Sequence, residues 1–255
     1  MPVVGTPRGV GGDALTLATF NVWFDERYAR ERYQAIADVL APESPDVMVF
    51  QEVTAPALEV LLGQQWIREG YQRAVVRGRG NYGHLMLARA PIRRAVYVRL
   101  PTRASRGVLR AEMDVGGSTL VVGSVHLDSG KQSRDLRKRQ LHRIFRDVAR
   151  DPDVVLLGDF NMRDDENGCI GAPFTDVWPA LRPDEPGYTE DTSINLMRLD
   201  STGKARHVRF DRVLVKSARW RPTSIDLLGT EPISPELPRV FPSDHFGVVC
   251  RIERG

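Results

Sequence analysis

Apolar residues along the chain fall into short runs that are bounded by Gly, Pro, Asp or Asn. Runs of this kind predict buried β-strands, because strands are short and turn residues interrupt them. Gly116 to Ser118 predict a hairpin turn between two of these runs. The first of these runs, ALTLATFNVWF, begins at Ala14, and we expect its strand to end at Asn21. The other runs that we interpret as strands are DVMVF, HLMLAR, VYVRL, VLRAEMDV, TLVVGSVHL, DVVLLGD, RFDRVLVKS and FGVVCRIE.

Three other segments predict helices. In ERYQAIADVL, apolar residues recur every three to four positions at Ile36, Val39 and Leu40, and Pro42 and Pro45 are expected to end the helix. PALEVLLGQQW predicts a short helix, and SRDLRKRQLHRIFRDVARD predicts an amphipathic one with arginines away from its buried side. That buried side is expected to contain Leu136, Leu141, Ile144, Phe145 and Val148.

The order of these elements indicates a fold of the α/β or α+β class, since strands outnumber helices and the two kinds alternate. The sequence contains no internal repeat, low-complexity tract or long linker. We therefore predict a flexible leader over residues 1–13, which are rich in Gly and Pro, and a single domain over residues 14–255.

Polar side chains of the kinds used in catalysis stand at the ends of several apolar runs. Taken singly, each has an ordinary explanation: Asn and Asp suit turns, Glu52 could cap a helix near Pro56, and His126 could be a buried core histidine. Five strand ends with the same feature are poorly explained by five coincidences, and rigid strands often support a site. We therefore expect one site that contains Asn21, Glu52, His126, Asp159, Asn161, Asp244 and His245.

Composition adds little to this picture. The net charge of +3 and the pI of about 9 are compatible with an anionic partner but do not require one. Arginine far outnumbers lysine, which suits bidentate phosphate contacts, although genomic codon bias explains the same excess. No apolar run approaches the ~18 residues of a membrane span, and the N-terminus lacks the pattern of a secretory signal.

The two cysteines, Cys169 and Cys250, lack CxxC or zinc-type spacing. We interpret them as reduced residues of an intracellular protein, which would be cytoplasmic in a prokaryote and nuclear in a eukaryote.

The residue types at the strand ends favour a particular chemistry. Carboxylates and amides are ligands of hard cations such as Mg²⁺ or Mn²⁺, whereas zinc would prefer more His or Cys. The sequence contains neither a GxSxG elbow nor a GxxxxGK[ST] loop. Hydrolysis of a phosphate ester by an activated water therefore fits these residues best.

Six motifs occur in an order that resembles the endonuclease/exonuclease/phosphatase superfamily: TFN, QEV, SVHL, GDFN, RFDRV and SDH. The resemblance extends over roughly Leu15 to Glu253. It implies the DNase I-like fold, a four-layered α/β/β/α sandwich in which two packed mixed β-sheets are flanked by helices.

Longer segments are similar to the tyrosyl-DNA phosphodiesterase 2 branch of that superfamily: SPDVMVFQEV, GDFNMRD, DVWPAL, RFDRVLV, SIDLLGTE and FPSDHFGVVC. The resemblance implies a Mg²⁺-dependent enzyme, with Mn²⁺ as a substitute, that removes tyrosyl adducts from DNA 5′ ends, such as those left by trapped type II topoisomerases. The implied partners are single-stranded or frayed DNA ends that carry a tyrosyl or peptide adduct, and RNA in some members. A monomer without membrane contact is implied as well.

The resemblance also implies metal and catalytic roles. Glu52 would be the main Mg²⁺ ligand, with Asn21 beside it and Asp244 in support of the metal or its waters. Asp159 would orient or deprotonate the attacking water, and Asn161 would position that water and the phosphate. His245 and His126 would hold the phosphate oxygens, and Asp211 in RFDRV would orient His245.

Substrate contacts follow from the same resemblance. Ser129 would touch the phosphate, and Arg106 would lie near the leaving tyrosine. Arg163 would hold the loop after Asn161 or meet the DNA backbone.

The sequence departs from the family pattern at three places. Phe20 replaces a tryptophan in TFN, a mild change. Glu190 stands where relatives carry a tryptophan that packs on the DNA end, and we expect an acid there to repel phosphates. The segment GRGNYGHLML lacks the family's aromatic pair, for which Tyr82 could substitute.

Two other functions stay open. The same chemistry could act on a different substrate, as in an abasic-site endonuclease, a DNA or RNA exonuclease, a small-phosphoester hydrolase or a lipid phosphodiesterase, although no amphipathic hairpin suited to membrane insertion is evident. Alternatively, the fold could be catalytically silent and bind nucleic acid or protein. The intact set Glu52, Asp159, Asn161 and His245 argues against the silent fold.

Overall fold

The apolar runs form strands and helices that alternate through the chain. The computed structural model describes residues 1–6, 9–78 and 81–255, so two residues of the leader and residues 79 and 80 of the GRGNYGHLML segment lie outside the described residues. The strands are β1 (Ala14–Asn21), β2 (Val47–Val53), β3 (Gln72–Val76), β4 (Gly83–Ala88), β5 (Ile92–Arg99), β6 (Gly107–Val115), β7 (Ser118–His126), β8 (Val154–Asp159), β9 (Thr175–Asp176), β10 (Glu190–Asp191), β11 (His207–Val208), β12 (Asp211–Lys216), β13 (Trp220–Leu228) and β14 (Gly247–Arg254). The helices are α1 (Ala29–Glu43), α2 (Ala55–Gly63), α3 (Gln65–Gly70), α4 (Arg134–Asp147), α5 (Val177–Leu181) and α6 (Leu196–Thr202).

Two six-stranded mixed sheets form the centre of the fold. The first has the order β13-β14-β1-β2-β4-β3, and the second has the order β5-β6-β7-β8-β12-β9. Each sheet contains one parallel pair, β1 with β2 and β7 with β8, and its other neighbours are antiparallel. A small separate ribbon joins β10 to β11.

Alternation along the strands builds the layers. In β2, Val47 and Val49 pack in the cluster between the sheets, whereas Met48 and Phe50 pack with α1, α2 and α3 on the outer face. On the other side, Leu141 and Ile144 of α4 cover the outer face of the second sheet. The four-layered α/β/β/α sandwich implied by the family resemblance is therefore confirmed.

Most predicted elements are confirmed, including the hairpin turn at Gly116 and Gly117. The predictions missed the short elements β9, β10, β11, α5 and α6. They also missed β3 and β13, which lie at the edges of the first sheet, where polar residues weaken the apolar pattern. The segment that predicted one short helix forms two, α2 and α3. Pro42 does not end α1 but lies in its last turn, before Ser44 adopts a left-handed conformation.

The buried side of α4 differs from the prediction at three residues, since it also contains Gln140, which is 0% exposed. Phe145 is only half-buried, while Arg137 is 2% exposed. Arg137 can be buried because both oxygens of the Glu166 carboxylate accept its hydrogen bonds, at 2.6 and 2.9 Å. An arginine on the apolar side of a helix was not foreseen, because its partner lies far along the chain.

The segment predicted as a flexible leader contacts the domain at its start. Val4 and Arg73 of β3 exchange backbone hydrogen bonds at 3.2 and 2.8 Å. This part of residues 1–13 is therefore held against the first sheet, and the division of the chain at residue 14 stays a prediction.

Cys169 and Cys250 are both free thiols. Among the residues that the structure describes, no helix is long and apolar enough to cross a membrane.

Gly158 brings β8 close to β7 just before the polar residues begin. Its φ is +139°, and a Cβ atom would lie 2.1 Å from the Val125 carbonyl oxygen and 3.0 Å from the Gln51 amide nitrogen. Only glycine meets both conditions. The position of Asp159 therefore depends on the residue before it.

We predict that Gly158→Ala lowers the free energy of unfolding by about 3 kcal/mol, because it combines backbone strain with a steric clash. Chemical denaturation would measure the loss. Gly168→Ala is the matched control, since a Cβ atom there meets nothing within 4 Å. Equal stability of the two variants would contradict this account of the β7–β8 contact.

Candidate active site

The polar strand ends of both sheets meet at one edge of the sandwich. β1 and β2 contribute Asn21 and Glu52 from the first sheet. In the second sheet, the strand register places Asp159 opposite both His126 and Asp211. These residues surround or adjoin an open cleft of about 1080 Å³, which Asn161, Asp244 and His245 also line.

Glu52 reaches the cleft because β2 is irregular there. The pairing of β2 with β4 shifts register between Phe50 and Val53, and Glu52 has a φ of +59°. Such a bulge re-aims a side chain that regular alternation would direct elsewhere. A left-handed glutamate is strained, and strain of this kind concentrates at functional sites.

The Glu52 carboxylate is buried without a strong partner. Among the residues that the structure describes, its Oε2 accepts only a long hydrogen bond from the Phe24 amide, at 3.4 Å, and its Oε1 lies 3.7 Å from His126 Nε2. Burial, and then the carboxylate of Asp244, raise the pKa of Glu52 to about 7, against the lowering effects of Arg106 and His245. This carboxylate is therefore poised to accept a cation.

Asp159 is held by amide donors from both sheets. Its Oδ2 accepts hydrogen bonds from the side-chain amides of Asn21, at 3.1 Å, and Asn161, at 2.9 Å, while its Oδ1 accepts one from the Asn161 backbone, at 2.8 Å. Burial raises the pKa of Asp159 to about 6, although His245 acts in the opposite direction. Asn161 donates in this way from a left-handed conformation, with a φ of +51°, which asparagine tolerates.

His245 and Asp211 form a buried pair, as the family resemblance implied. The two side chains meet at 2.7 Å between Nδ1 and Oδ2. Burial alone would lower the pKa of His245, but the carboxylates of Asp211 and Asp244 outweigh it and raise the pKa well above 6.5. His245 is therefore a cation that donates to Asp211 through Nδ1 and keeps its second N–H for another acceptor.

His126 is neutral, and Arg106 fixes its tautomer. Burial, and then the charge of Arg106, lower the pKa of His126 well below 6.5. Arg106 Nη1 lies 2.8 Å from His126 Nδ1, and because a guanidinium can only donate, Nδ1 must accept. The ring proton is then on Nε2.

The N–H at Nε2 faces both acids. Nε2 lies 3.5 Å from Asp159 Oδ2 and 3.7 Å from Glu52 Oε1, yet this buried atom has no hydrogen-bond partner within the described parts of the chain. An unpaired buried donor is costly, so its presence indicates that an acceptor belongs in the cleft at this point.

A metal ion could be held here. Asp159, Asp211 and His245 offer ligand atoms that all lie within 4.8 Å of one another. Asp211 and His245 already bond each other, however, whereas Glu52 is nearly unpaired, so the donor chemistry favours Glu52 as the main ligand.

The other predicted metal ligands, Asn21 and Asp244, have partners of their own. Asn21 Oδ1 accepts a hydrogen bond from the Trp23 amide, at 3.1 Å, and Asp244 Oδ2 lies 3.2 Å from Arg198 Nη1. Each oxygen retains a lone pair for a further contact.

The predicted substrate residues also line the cleft. Arg106 is 7% exposed, donates to the Tyr82 hydroxyl at 3.2 Å and lies over the Tyr82 ring. Tyr82 stacks on Phe24, with ring centroids 5.0 Å apart, so an aromatic pair borders the cleft after all. Ser129 is exposed at the rim, and the guanidinium of Arg163 lies 5.8 Å from the Phe210 ring centroid.

The environment of Glu190 differs from the expectation that this acid repels phosphates. It is 0% exposed and forms ion pairs with Arg198 and, at 3.1 Å, with Arg206, both of which line the cleft. A carboxylate neutralised by two guanidiniums does not present a bare negative charge to a phosphate. The expected repulsion is therefore wrong, because the two arginines come from α6 and from the segment before β11.

Sequence reasoning missed a polar connection between the sheets behind the site. Gln51 donates to Ser124 Oγ at 3.2 Å, and Ser124 bonds His84 Nδ1 at 3.1 Å. His84 then packs edge-on against His126, with ring centroids 6.1 Å apart. The motif QEV offered a signal. Alternation along the strand turns Gln51 towards the other sheet, while the bulge redirects Glu52 to the cleft.

We predict that NMR of ¹⁵N-labelled protein finds His126 neutral, with its proton on Nε2, between about pH 5.5 and 8. Arg106→Ala should produce a mixture of tautomers, because Nδ1 loses its donor. Arg103→Ala, an exposed arginine of the same loop, is the control. A proton on Nδ1 in the unmodified protein would contradict the assignment.

Comparison with known proteins agrees with this geometry. Residues 18–245 match the model of the Endonuclease/Exonuclease/phosphatase family. Tyrosyl-DNA phosphodiesterase 2 from Homo sapiens is 30% identical over 257 residues, which cover 95% of this chain and 69% of that protein. The Gallus gallus enzyme of the same name is also 30% identical, with coverages of 94% and 67%.

A solved structure extends the similarity to three dimensions. The crystal structure of D. rerio TDP2 complexed with single strand DNA product superposes with a TM-score of 0.84 at 25% identity, and the match covers 94% of this chain and 99% of that one. The chain therefore belongs to the endonuclease/exonuclease/phosphatase family, in which it is a phosphodiesterase similar to tyrosyl-DNA phosphodiesterase 2.

Proposed function

We propose that the protein is a Mg²⁺-dependent phosphodiesterase that hydrolyses the 5′-phosphotyrosyl bond between a DNA end and a trapped topoisomerase tyrosine, and so acts in DNA repair. The hydrolytic part of this proposal rests on one observation. The carboxylates of Glu52 and Asp159, which come from different sheets, lie within 3.7 Å of the same unpaired N–H of His126. A phosphate ester and a cation need such a combination of acids and donors around one open cleft.

The residues present fit a magnesium ion. Glu52 is a buried carboxylate without a cationic partner at close range, and Asn21 and Asp244 add oxygen atoms of the kind that Mg²⁺ prefers. Mn²⁺ has similar preferences and is expected to substitute. When bound, the ion would neutralise charge on the phosphate and lower the pKa of water.

The chain's own groups supply the rest of the chemistry. Asp159 accepts a proton from the attacking water, and the amide donors of Asn21 and Asn161 keep its Oδ2 directed into the site. His126 Nε2 and His245 Nε2 donate to the phosphate oxygens, whose negative charge increases in the transition state. Asp211 keeps the His245 ring protonated and oriented.

Arg106 favours a tyrosyl leaving group over an alkyl one. Its guanidinium borders the cleft beside the Tyr82–Phe24 stack, where a third aromatic ring and a phenolate oxygen would both find a favourable contact. Phenol has a pKa of about 10, so this leaving group needs little help from a general acid.

DNA is the proposed nucleic acid because the D. rerio relative is described in complex with a single strand DNA product. The cleft of this chain also carries Lys204, an exposed cation that can contact a phosphate backbone. Hydrolysis of abasic DNA, of unmodified DNA or RNA, or of a small phosphoester by the same groups is the second candidate.

A panel of substrates tests the proposal: a 5′-tyrosyl oligodeoxynucleotide, its 5′-tyrosyl RNA analogue, an abasic duplex and unmodified single-stranded DNA. We predict the highest kcat/KM for the tyrosyl DNA, and a loss of about 10²–10⁴-fold for Asp159→Asn on every substrate that is cleaved. Asp165→Asn, an exposed acid, is the control. A preference for abasic or unmodified DNA would reject the tyrosyl proposal while leaving the hydrolase intact.

The affinity for Mg²⁺ should rise with pH, because the metal competes with a proton for Glu52. With a pKa of about 7, the deprotonated fraction of Glu52 increases about tenfold between pH 6 and pH 8, so the Kd should fall by about the same factor. Titration calorimetry would measure it.

Glu52→Gln should abolish both the binding and its dependence on pH, and EDTA should abolish activity until Mg²⁺ or Mn²⁺ is restored. Binding that is independent of pH, or full activity in chelator, would remove Glu52 from the metal site.

A further inference from the structure

A second groove, of about 390 Å³, lies on the outer side of α4. Its lining is strongly basic and consists of Arg99, Pro101, Arg139, His142, Arg143 and Arg146. All six residues are exposed. No acid within the described parts of the chain forms an ion pair with any of these four arginines.

Several other arginines around α4 form ion pairs, unlike those of the groove. On the same helix, Arg134 pairs with Asp165 and Arg137 with Glu166. On the neighbouring strand, Arg110 contacts three acids, Glu112, Asp147 and Asp151. Asp147, Asp151, Asp165 and Glu166 are thus engaged with other arginines, and among the described residues Asp135, one turn before Arg139 on α4, forms no ion pair with it, so no paired acid compensates the positive charge of the groove.

Hydrogen bonds connect the groove to a segment that borders the catalytic cleft. Asp128 Oδ2 accepts hydrogen bonds from Thr102 Oγ1, at 2.5 Å, and from Gln140 Nε2, at 2.6 Å. Gln140 also donates to the carbonyl of Pro101, which lines the groove. Ser129, the residue after Asp128, lines the cleft.

We propose that this groove binds the phosphate backbone of a nucleic-acid strand whose 5′ end occupies the cleft. The proposal rests on the proposed function, since it assigns the groove to the same substrate. Unpaired guanidiniums suit phosphates because they donate two parallel hydrogen bonds. From Arg139 to Arg146 the helix rises by about 10 Å, a length that spans more than one phosphate of an extended strand.

The length of the oligonucleotide is the variable that tests this. In an Asp159→Asn background, which prevents turnover, the Kd is measured for 5′-phosphorylated strands of about four and about twenty nucleotides, because one binding surface typically covers ~4–16 nucleotides. The test variant carries Arg139→Gln, Arg143→Gln and Arg146→Gln. The control carries Arg30→Gln, Arg239→Gln and Arg251→Gln, which remove the same charge from exposed arginines elsewhere.

We expect the test variant to lose about tenfold more affinity for the long strand than for the short one. Its slope of log K against log salt for the long strand should be smaller by about 2, since three contacts contribute ~0.7 each. Circular dichroism and the Tm establish that the variant folds, and the single substitutions replace it if it does not.

Several results would overturn the proposal: equal losses for the two lengths, no loss, an equal loss in the control, or competition by polyglutamate as effective as that by DNA. The last result would assign the groove to an acidic protein instead. The test is independent of tyrosyl cleavage, so a failure of the proposed activity in the substrate panel would be recognised separately.

Discussion

The burial of charge where two sheets meet is the constraint on which the structure of the site depends. Glu52, Asp159 and Asp244 are all at least nine-tenths buried, and burial raises the pKa of each. An uncompensated buried carboxylate is expensive, so such groups persist only with paired charges, hydrogen bonds or a bound cation. Asp159 has its amide donors and Asp244 has Arg198, whereas Glu52 has neither at close range.

The lack of a close partner for Glu52 points to a bound cation, which would explain two otherwise costly features of the site. The left-handed glutamate in β2 and the unpaired N–H of His126 both face the same space. Neither would be stable unless the surrounding structure held it in place. The connection through Gln51, Ser124 and His84 provides that support, because it joins the two sheets directly behind the site. The site is thus prepared for a cation and a phosphate before either arrives.

Much of this was readable in the sequence, because strand-end residues are placed by local pattern. Apolar runs located β1, β2, β7 and β8, and the order of these runs brought their polar ends to one edge. The edge strands β3 and β13 escaped detection because their outward residues are polar and Pro222 interrupts the second of them.

Contacts between distant segments could not be predicted in this way. Glu190 looked like an exposed acid, since nothing near it in sequence shows that Arg198 and Arg206 fold back onto it. Likewise, the bulge at Glu52 depends on its pairing with β4, and the burial of Arg137 depends on Glu166. Such contacts depend on tertiary geometry, which single-sequence patterns do not encode.

The position of a bound ion tests the central claim most directly. Crystals soaked with Mn²⁺ and a 5′-phosphorylated oligonucleotide, the product of the proposed reaction, would locate the metal by its anomalous scattering. The account predicts a peak bound to the Glu52 carboxylate, with the 5′-phosphate between it and the side chains of His126 and His245. A metal bound elsewhere, with Glu52 free of it and the phosphate outside the cleft, would contradict the account.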